Sequence, residues 1–236
     1  MRRFDLLVKV GGSLGRRPAG AAAVMRGLAA LARRHAILVV PGGGRFADLV
    51  RRERRRHRLK AEPAHAMALL AMHQYGLLLV AASPGARAVS SLAAARRAAA
   101  AGRLPVLLVS GIIGRTADLE RSFRLTSDSI AAHLAGRAGA RRLLLLKSVP
   151  GLDRSIQEAR DAGPATRRGW VDPLFGRHLP TGIEVRLLDG ARPGAGRVIA
   201  RWLAAAPSRG ARRTAAPAHG SGVPRGRRRT AHRAGR

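Results

Sequence analysis

Val8-Lys9-Val10-Gly11-Gly12-Ser13-Leu14 is the stretch that decides how the chain is read. An apolar run from Phe4 to Val10 stops at two glycines and a serine, the pattern of a buried strand entering a tight turn. One lysine, Lys9, sits inside that run. An ammonium in a core strand is costly unless an anion meets it. Backbone left open by glycine lets successive N–H groups approach such an anion, so strand-end lysine plus glycine turn predicts a phosphate site. The plainer alternative is an edge-strand lysine reaching solvent.

Composition sharpens the point. Lysine occurs only at Lys9, Lys60 and Lys147 in a chain crowded with arginine and alanine. Where arginine has replaced lysine wherever it serves, the remaining lysines are enriched for sites that need a compact point charge. Lys147 repeats the arrangement of Lys9: it ends the apolar run Arg141–Leu146 and precedes Ser148-Val149-Pro150-Gly151.

The grammar recurs along the chain. Ala36–Val40 is a second apolar strand and ends in Pro41-Gly42-Gly43-Gly44, with a helix expected from Phe46 to about Arg56. Helices are also expected over Ala19–Arg34, Ala64–Tyr75, Ser90–Ala101 and Arg197–Ala205, and strands over Leu77–Val80, Leu104–Val109 and Ile183–Leu188. Trp170–Leu179 reads as short helix or irregular structure. Strand, glycine turn, helix is the pattern of an α/β protein, in which ligands gather beyond the carboxyl ends of parallel strands. Gly42, Gly43 and Gly44 at a helix start favour an anion, with left-handed backbone expected at Gly43; a ligand-free connection would need fewer glycines. In the segment around His65, His65 and Met72 share one helix face, as substrate lining or as plain packing. Thr126 or Ser127 caps a helix running to about Arg137, with Asp128 in its first turn, where a carboxylate contributes about 0.3–1 kcal/mol as a cap even without a chemical role.

The totals bound the classes. The 236 residues, 46% hydrophobic, fit one domain with a tail, and a net charge of +32 raises nucleic acid as a partner. The arginines are scattered, and aromatic residues make up only 3%, so the stacking platforms of single-strand binders are missing. There are no cysteines, which removes disulfides and thiolate metal sites. The first apolar run is too short for a signal-peptide core, and no apolar stretch is expected to reach the roughly 20 residues of a membrane helix. A cytoplasmic location is the expectation. From Pro207 the chain is Arg, Ala, Gly, Pro and Ser without acids, so residues 207–236 are expected to be a disordered basic tail on a 1–206 domain. Contact of that tail with nucleic acid is a lesser reading.

Lys9-Val10-Gly11-Gly12-Ser13, Val40-Pro41-Gly42-Gly43-Gly44, Thr126-Ser127-Asp128-Ser129 and Leu146-Lys147-Ser148-Val149-Pro150-Gly151 stand in the order and approximate spacing of the amino acid kinase family. The resemblance covers about residues 4–205. It implies a three-layer α/β/α sandwich with a mainly parallel sheet, ATP and Mg²⁺ as cofactors, a small-molecule phosphate as acceptor, and a homo-oligomer. By the same resemblance Lys9 and Asp128 are catalytic. Gly11, Gly12, Ser13, Lys147, Ser148 and Gly151 bind the nucleotide, while Gly42, Gly43, Gly44 and His65 bind the acceptor. No protein metal site is expected. The Ala64–Gly76 segment, the Thr126–Ala132 run and the short C-terminal part resemble the branch acting on [5-(aminomethyl)furan-3-yl]methyl phosphate in methanofuran biosynthesis. Kinases of isopentenyl phosphate, uridylate or amino acids, and a non-catalytic member, are the alternatives. Many relatives carry a second catalytic lysine in a later glycine-rich segment; this chain has none after Lys147, so either Lys147 or an arginine takes that charge, or catalysis is weaker.

Overall fold

The expected strand–turn–helix repeats build one seven-stranded sheet. The computed structural model describes residues 3–16, 18–114, 116, 119–122, 124–156 and 162–205. Its strands are β1 (Leu6–Val10), β2 (Ile37–Pro41), β3 (Ala86–Val89), β4 (Leu104–Leu107), β5 (Arg142–Lys147), β6 (Asp153–Ile156) and β7 (Glu184–Asp189). They lie in the order β3-β4-β2-β1-β5-β7-β6, all parallel except β6, which runs against β7. The helices are α1 (Pro18–Ala32), α2 (Gly44–Arg56), α3 (Ala61–Ala81), α4 (Leu92–Ala100), α5 (Ser110–Ile113), α6 (Ser127–Ala138), α7 (Ala162–Arg167), α8 (Phe175–His178) and α9 (Ala195–Ala204). They cover both faces, giving the three-layer sandwich. The expected tail, 207–236, lies outside the described residues.

β1 is central and fully buried, as befits a parallel strand covered on both sides. Alternation along it divides the two cores. Leu6, Val8 and Val10 pack with Met25, Leu28 and Trp202 beneath α1 and α9. Leu7 faces the other layer with Ile130, Leu134 and Ala135 of α6. Lys9, two residues after Leu7, therefore projects toward α6. β5 obeys the same parity: Leu143 and Leu145 lie in the α6 layer, Leu144 and Leu146 in the other. Lys147 thus follows Leu145 onto the face that Lys9 occupies. Lys9 pairs in register with Leu145, so Lys147 is one step further along that face.

Three expectations need correcting. Ala64–Tyr75 and Leu77–Val80 are not a helix and a strand but parts of one 21-residue helix, α3. Gly76 does not end it; a Cβ there would stand 3.0 Å from Leu108 Cδ2 and 3.2 Å from Pro41 Cγ, so the glycine permits close passage over the ends of β2 and β4. Because the segment is continuous, one helix is long and apolar enough by length and composition to cross a membrane, contrary to the sequence reading. Here Leu69, Met72, Tyr75 and Leu79 of that helix are buried in the protein's own core, while Leu70, Leu77 and Leu78 are exposed. The strand β3 also escaped detection, since Ala-Arg-Ala-Val at a sheet edge offers no apolar run.

α9 is pinned from the sheet side. Arg142, at the start of β5, donates from Nε to Glu184 Oε2 at 3.0 Å and from Nη1 to the Leu203 carbonyl at 3.1 Å. Trp202 Nε1 donates to the other Glu184 oxygen at 2.6 Å. A buried guanidinium is tolerated there because Glu184 and the backbone carbonyls accept its hydrogen bonds while the Trp202 ring stacks against it, 5.6 Å from Cζ to the ring centroid.

Candidate active site

The ends of β1, β2 and β5 meet the first turn of α6. Lys9 Nζ stands 2.7 Å from Asp128 Oδ1, and Lys147 Nζ donates to Asp128 Oδ2 at 2.5 Å. The Lys9 contact is a close charge pair without hydrogen-bond alignment. Lys9 and Asp128 are each only 4% exposed. Burial pushes the Asp128 carboxyl up, but the ammoniums of Lys9 and Lys147 outweigh it and hold the group below its usual value. Lys147 is brought down to about 8, by burial first and by Lys9 second, against the pull of Asp128.

The glycine turns form the floor. Gly11 N donates to the Leu146 carbonyl at 2.9 Å and Gly42 N to the Val10 carbonyl at 2.8 Å, tying the loops after β1, β2 and β5 into one surface. A Cβ on Gly12 would lie 2.3 Å from Gly44 N, so the two loops pack backbone to backbone. The left-handed residue is Gly44, at φ +57°, not Gly43, whose φ is −88°. Gly43 is restricted instead by Ala47 Cβ, 2.3 Å from where its own Cβ would stand. Tyr75 from α3 fills the space beneath, its hydroxyl donating to the Gly11 carbonyl at 3.5 Å. Ser13 Oγ accepts from Ser148 N at 3.1 Å and links the first turn to the last.

Above this floor is a cleft of about 270 Å³ lined by Lys9, Gly11, Gly12, Ser13, Gly43, Gly44, Asp128 and Lys147, with Arg16, Asp48 and Arg51 on its rim. A smaller cavity of about 130 Å³ adjoins it and shares Gly43, Ala47, Arg51, Thr126 and Ser127 as a common wall. His65, Ala68, Leu69, Met72, Leu125 and Ile130 line the far side. Burial, reinforced by Arg121, lowers the His65 pKa against a backbone hydrogen bond to Ser122. Of the residues expected from sequence, then, Lys9, Gly11, Gly12, Ser13, Gly43, Gly44, Asp128 and Lys147 converge on one cleft and His65 on its neighbour. Gly42 is buried in the floor. Ser148 touches the site through Ser13, and Gly151 lies in an exposed turn at φ +70° outside both lining sets.

Asp172 is the residue that sequence reading missed. It lies in the loop between α7 and α8 and is buried. Its Oδ2 accepts from Thr126 Oγ1 at 2.6 Å, Thr126 N at 3.3 Å and Ser129 N at 3.1 Å. Its Oδ1 accepts from Leu174 N at 3.0 Å and from Ser129 Oγ. Thr126 Oγ1 in turn accepts from Asp128 N at 3.4 Å and caps α6. One carboxylate therefore fixes the residues on either side of Asp128. With only 13 acids in the chain, an Asp-Pro pair between apolar residues was the available signal.

The geometry defines a class: two cations and a glycine floor at the carboxyl edge of a parallel sheet, the setting in which α/β proteins receive anionic ligands. Residues 6–160, well over half of the chain, match the model of the amino acid kinase family, and the chain belongs to that family. It is accordingly a phosphotransferase. A [5-(aminomethyl)furan-3-yl]methyl phosphate kinase from Methanocaldococcus jannaschii is 28% identical over 149 residues, 62% of this chain and 67% of that protein. Among solved structures, a uridylate kinase from Archaeoglobus fulgidus superposes with a TM-score of 0.63 at 16% identity, covering 86% of this chain and 97% of that one. A UMP kinase from Bacillus anthracis gives 0.63 at 16%, covering 85% and 93%. The last two likenesses show a shared fold.

Replacing Asp172 by asparagine puts an amide NH₂ against donors that need an acceptor. Asp172→Asn is expected to lose stability by at least the cost of one unsatisfied buried donor, about 1–3 kcal/mol, measured by urea unfolding. An unchanged midpoint would show that the five contacts bear no weight.

Proposed function

We propose that the chain transfers the γ-phosphoryl group of ATP to a small monophosphate, with [5-(aminomethyl)furan-3-yl]methyl phosphate as the acceptor. The observation that carries the reading is Asp128 held between Lys9 and Lys147 above the glycine floor. Phosphoryl transfer calls for positioning and charge neutralisation rather than a covalent partner. In this reading Lys9 meets the phosphoryl group in flight, and Asp128 keeps its ammonium aimed. Lys147 takes the second charge and faces the donor phosphates with Gly11, Gly12 and Ser13, while Ser148 steadies Ser13. Gly43, Gly44 and His65 face the acceptor, Gly42 shaping their loop, and Gly151 serves the turn after β5. A phosphate acceptor is already anionic, so no strong base is needed.

The chain's own groups do not fit a resident Mg²⁺ site. Both Asp128 oxygens face lysines and both Asp48 oxygens face arginines, and among the described residues no group of three or more His, Cys, Asp or Glu gathers. Magnesium is read here as arriving on the phosphates of ATP.

One observation favours a second acceptor. One wall of the smaller cavity is apolar, formed by Ala68, Leu69, Met72, Leu125 and Ile130, and its polar lining among the described residues, Arg51, His65, Ser122, Thr126 and Ser127, contains no carboxylate to meet an aminomethyl cation. An apolar monophosphate such as isopentenyl phosphate matches that lining. Assay of ATP turnover with both acceptors decides between them. A homo-oligomer belongs to the same reading, since Leu70, Leu77 and Leu78 expose an apolar stripe on α3.

Lys9→Ala is expected to lower kcat by a factor on the order of 10² to 10³ with little change in the KM for ATP, the mark of an interaction made in the transition state. Lys9→Arg should recover little, because a longer planar fork cannot stand where the ammonium meets Asp128. Steady-state kinetics check both, and a fully active Lys9→Arg enzyme would sink the assignment.

Lys147 gives a pH signature with opposite signs. Its folded value of about 8 lies below its ordinary 10.5, so the unfolded chain holds the extra proton between them and stability rises with pH across that window. Activity should move the other way: kcat/KM for ATP should fall above about pH 8 as the cation is lost. A flat profile from neutral pH to 9.5 would remove Lys147 from donor binding.

Residues 1–206 are proposed as the catalytic unit. A chain ending at Ala206 should keep its kcat and KM within about twofold, since the basic segment has too little apolar content to build part of a core. A large loss of turnover would make that segment part of the enzyme.

A further inference from the structure

The two adjoining cavities divide the work, and the residues of their common wall are where donor and acceptor must meet. His65, facing the smaller cavity, is biased toward its neutral form and can donate a hydrogen bond but supplies little charge. Lys9 and Lys147 line the larger cleft and not the smaller one. A monophosphate seated in the smaller cavity would bring close to two negative charges to a lining whose described polar groups besides Arg51 are His65 and the hydroxyls of Ser122, Thr126 and Ser127, none of them a fixed cation to balance that charge. Arg51 is the arginine among the residues lining that cavity, and it lines the larger cleft as well.

Arg51 is also aimed. Its Nη1 donates to Asp48 Oδ1 at 2.6 Å, one turn back on α2. The other oxygen of Asp48 accepts from Arg16 Nη2 at 3.1 Å, reaching across from the turn after β1. An isolated i,i+3 pair on a helix surface contributes little. This one differs because a third residue from the opposite rim closes on the same carboxylate, at the mouth of the cleft. The described contacts of Arg51 use Nη1 alone, which leaves the rest of its fork for an incoming anion. Arginine suits that task, since two parallel N–H groups match two phosphate oxygens.

We propose that Arg51 is the residue that reads the acceptor's phosphate, and that Asp48, itself held by Arg16, is its positioning partner. The proposal rests on the monophosphate-kinase reading above and adds the group that makes a phosphate, rather than a neutral alcohol, the preferred acceptor end.

The test uses the full chain with ATP and, as acceptors, [5-(aminomethyl)furan-3-yl]methyl phosphate and isopentenyl phosphate, each beside its dephosphorylated alcohol. Arg51→Gln should raise the KM of the phosphorylated acceptor on the order of 10- to 100-fold, the size of a lost charge-assisted hydrogen bond, and leave the KM for ATP within about threefold. Arg51→Lys keeps the charge without the fork and should fall between the two. Asp48→Asn should raise the acceptor KM by a smaller factor. ATP binding by each variant, followed by thermal shift, verifies that it is folded; if Arg51→Gln is not, Arg51→Lys carries the comparison. If the unaltered chain turns over a monophosphate while Arg51→Gln keeps the same acceptor KM, or raises both KM values together, the inference is overturned and the kinase reading stands. If the unaltered chain phosphorylates neither monophosphate but does phosphorylate a carboxylate such as N-acetylglutamate, the monophosphate reading itself fails, and the role of Arg51 with it.

Discussion

Three charges at the edge of the sheet, Lys9 and Asp128 buried and Lys147 half-buried, set the terms for everything around them. Their sum is positive. Two ammoniums share one carboxylate, and burial first and repulsion by Lys9 second bring Lys147 down to about 8. Burying such a group costs more than a balanced pair, because the desolvation of the second cation is not returned by a second anion. A protein selected for stability alone would place an apolar residue at one of these positions. The arrangement becomes favourable when an anion enters the cleft. The rest of the fold holds this excess of positive charge in place, and any anion bound there would offset it.

What holds it is register. Lys9 and Lys147 lie on adjacent parallel strands and continue the alternating face that packs under α6. A slip of one residue in either strand would send its lysine to the α1 side, where Val8, Val10 and Leu146 now lie. The third charge is held by its own scaffold: Asp172 fixes Thr126 and Ser129, and Asp128 lies between them. Rigid strands position the cations and a capped helix positions the anion, so the site inherits the precision of the core.

This explains how much was legible in the chain. Lys9, Lys147 and Asp128 could be read because each breaks a local rule. A charge inside or at the end of an apolar strand, or a rare acid in a first helical turn, is conspicuous. The triple glycine could be read as a close approach, but which residue turned left-handed could not, since Gly43 and Gly44 differ only in how α2 and Tyr75 pack against them. Residues that obey local rules were invisible. Asp172 is an ordinary loop aspartate until the fold brings α6 to it. The segment after Tyr75 looked like a strand because a glycine and four apolar residues say nothing of Pro41 and Leu108, the neighbours that make Gly76 a packing residue. Arg51 was hidden for the opposite reason, as one arginine in Arg51-Arg52-Glu53-Arg54-Arg55-Arg56.

That run of arginines shows why lysine persists at the centre of this site. The two cations are different tools. At the rim, Arg16 and Arg51 have room, half or more of each side chain exposed, and a fork can grip Asp48 or a phosphate. At the centre, two cations must reach the two oxygens of one buried carboxylate from neighbouring strands, with side chains 5% and 15% exposed. Two guanidiniums there would compete for the same plane and leave buried N–H groups without acceptors, each a cost of about 1–3 kcal/mol. A compact ammonium satisfies its donors with fewer partners, and it can also give up its proton. Lys60 is the counter-case: it precedes α3 in an exposed position where arginine would serve as well, so a surviving lysine alone does not mark a site. Steric confinement between β1, β5 and α6 is what separates Lys9 and Lys147 from it.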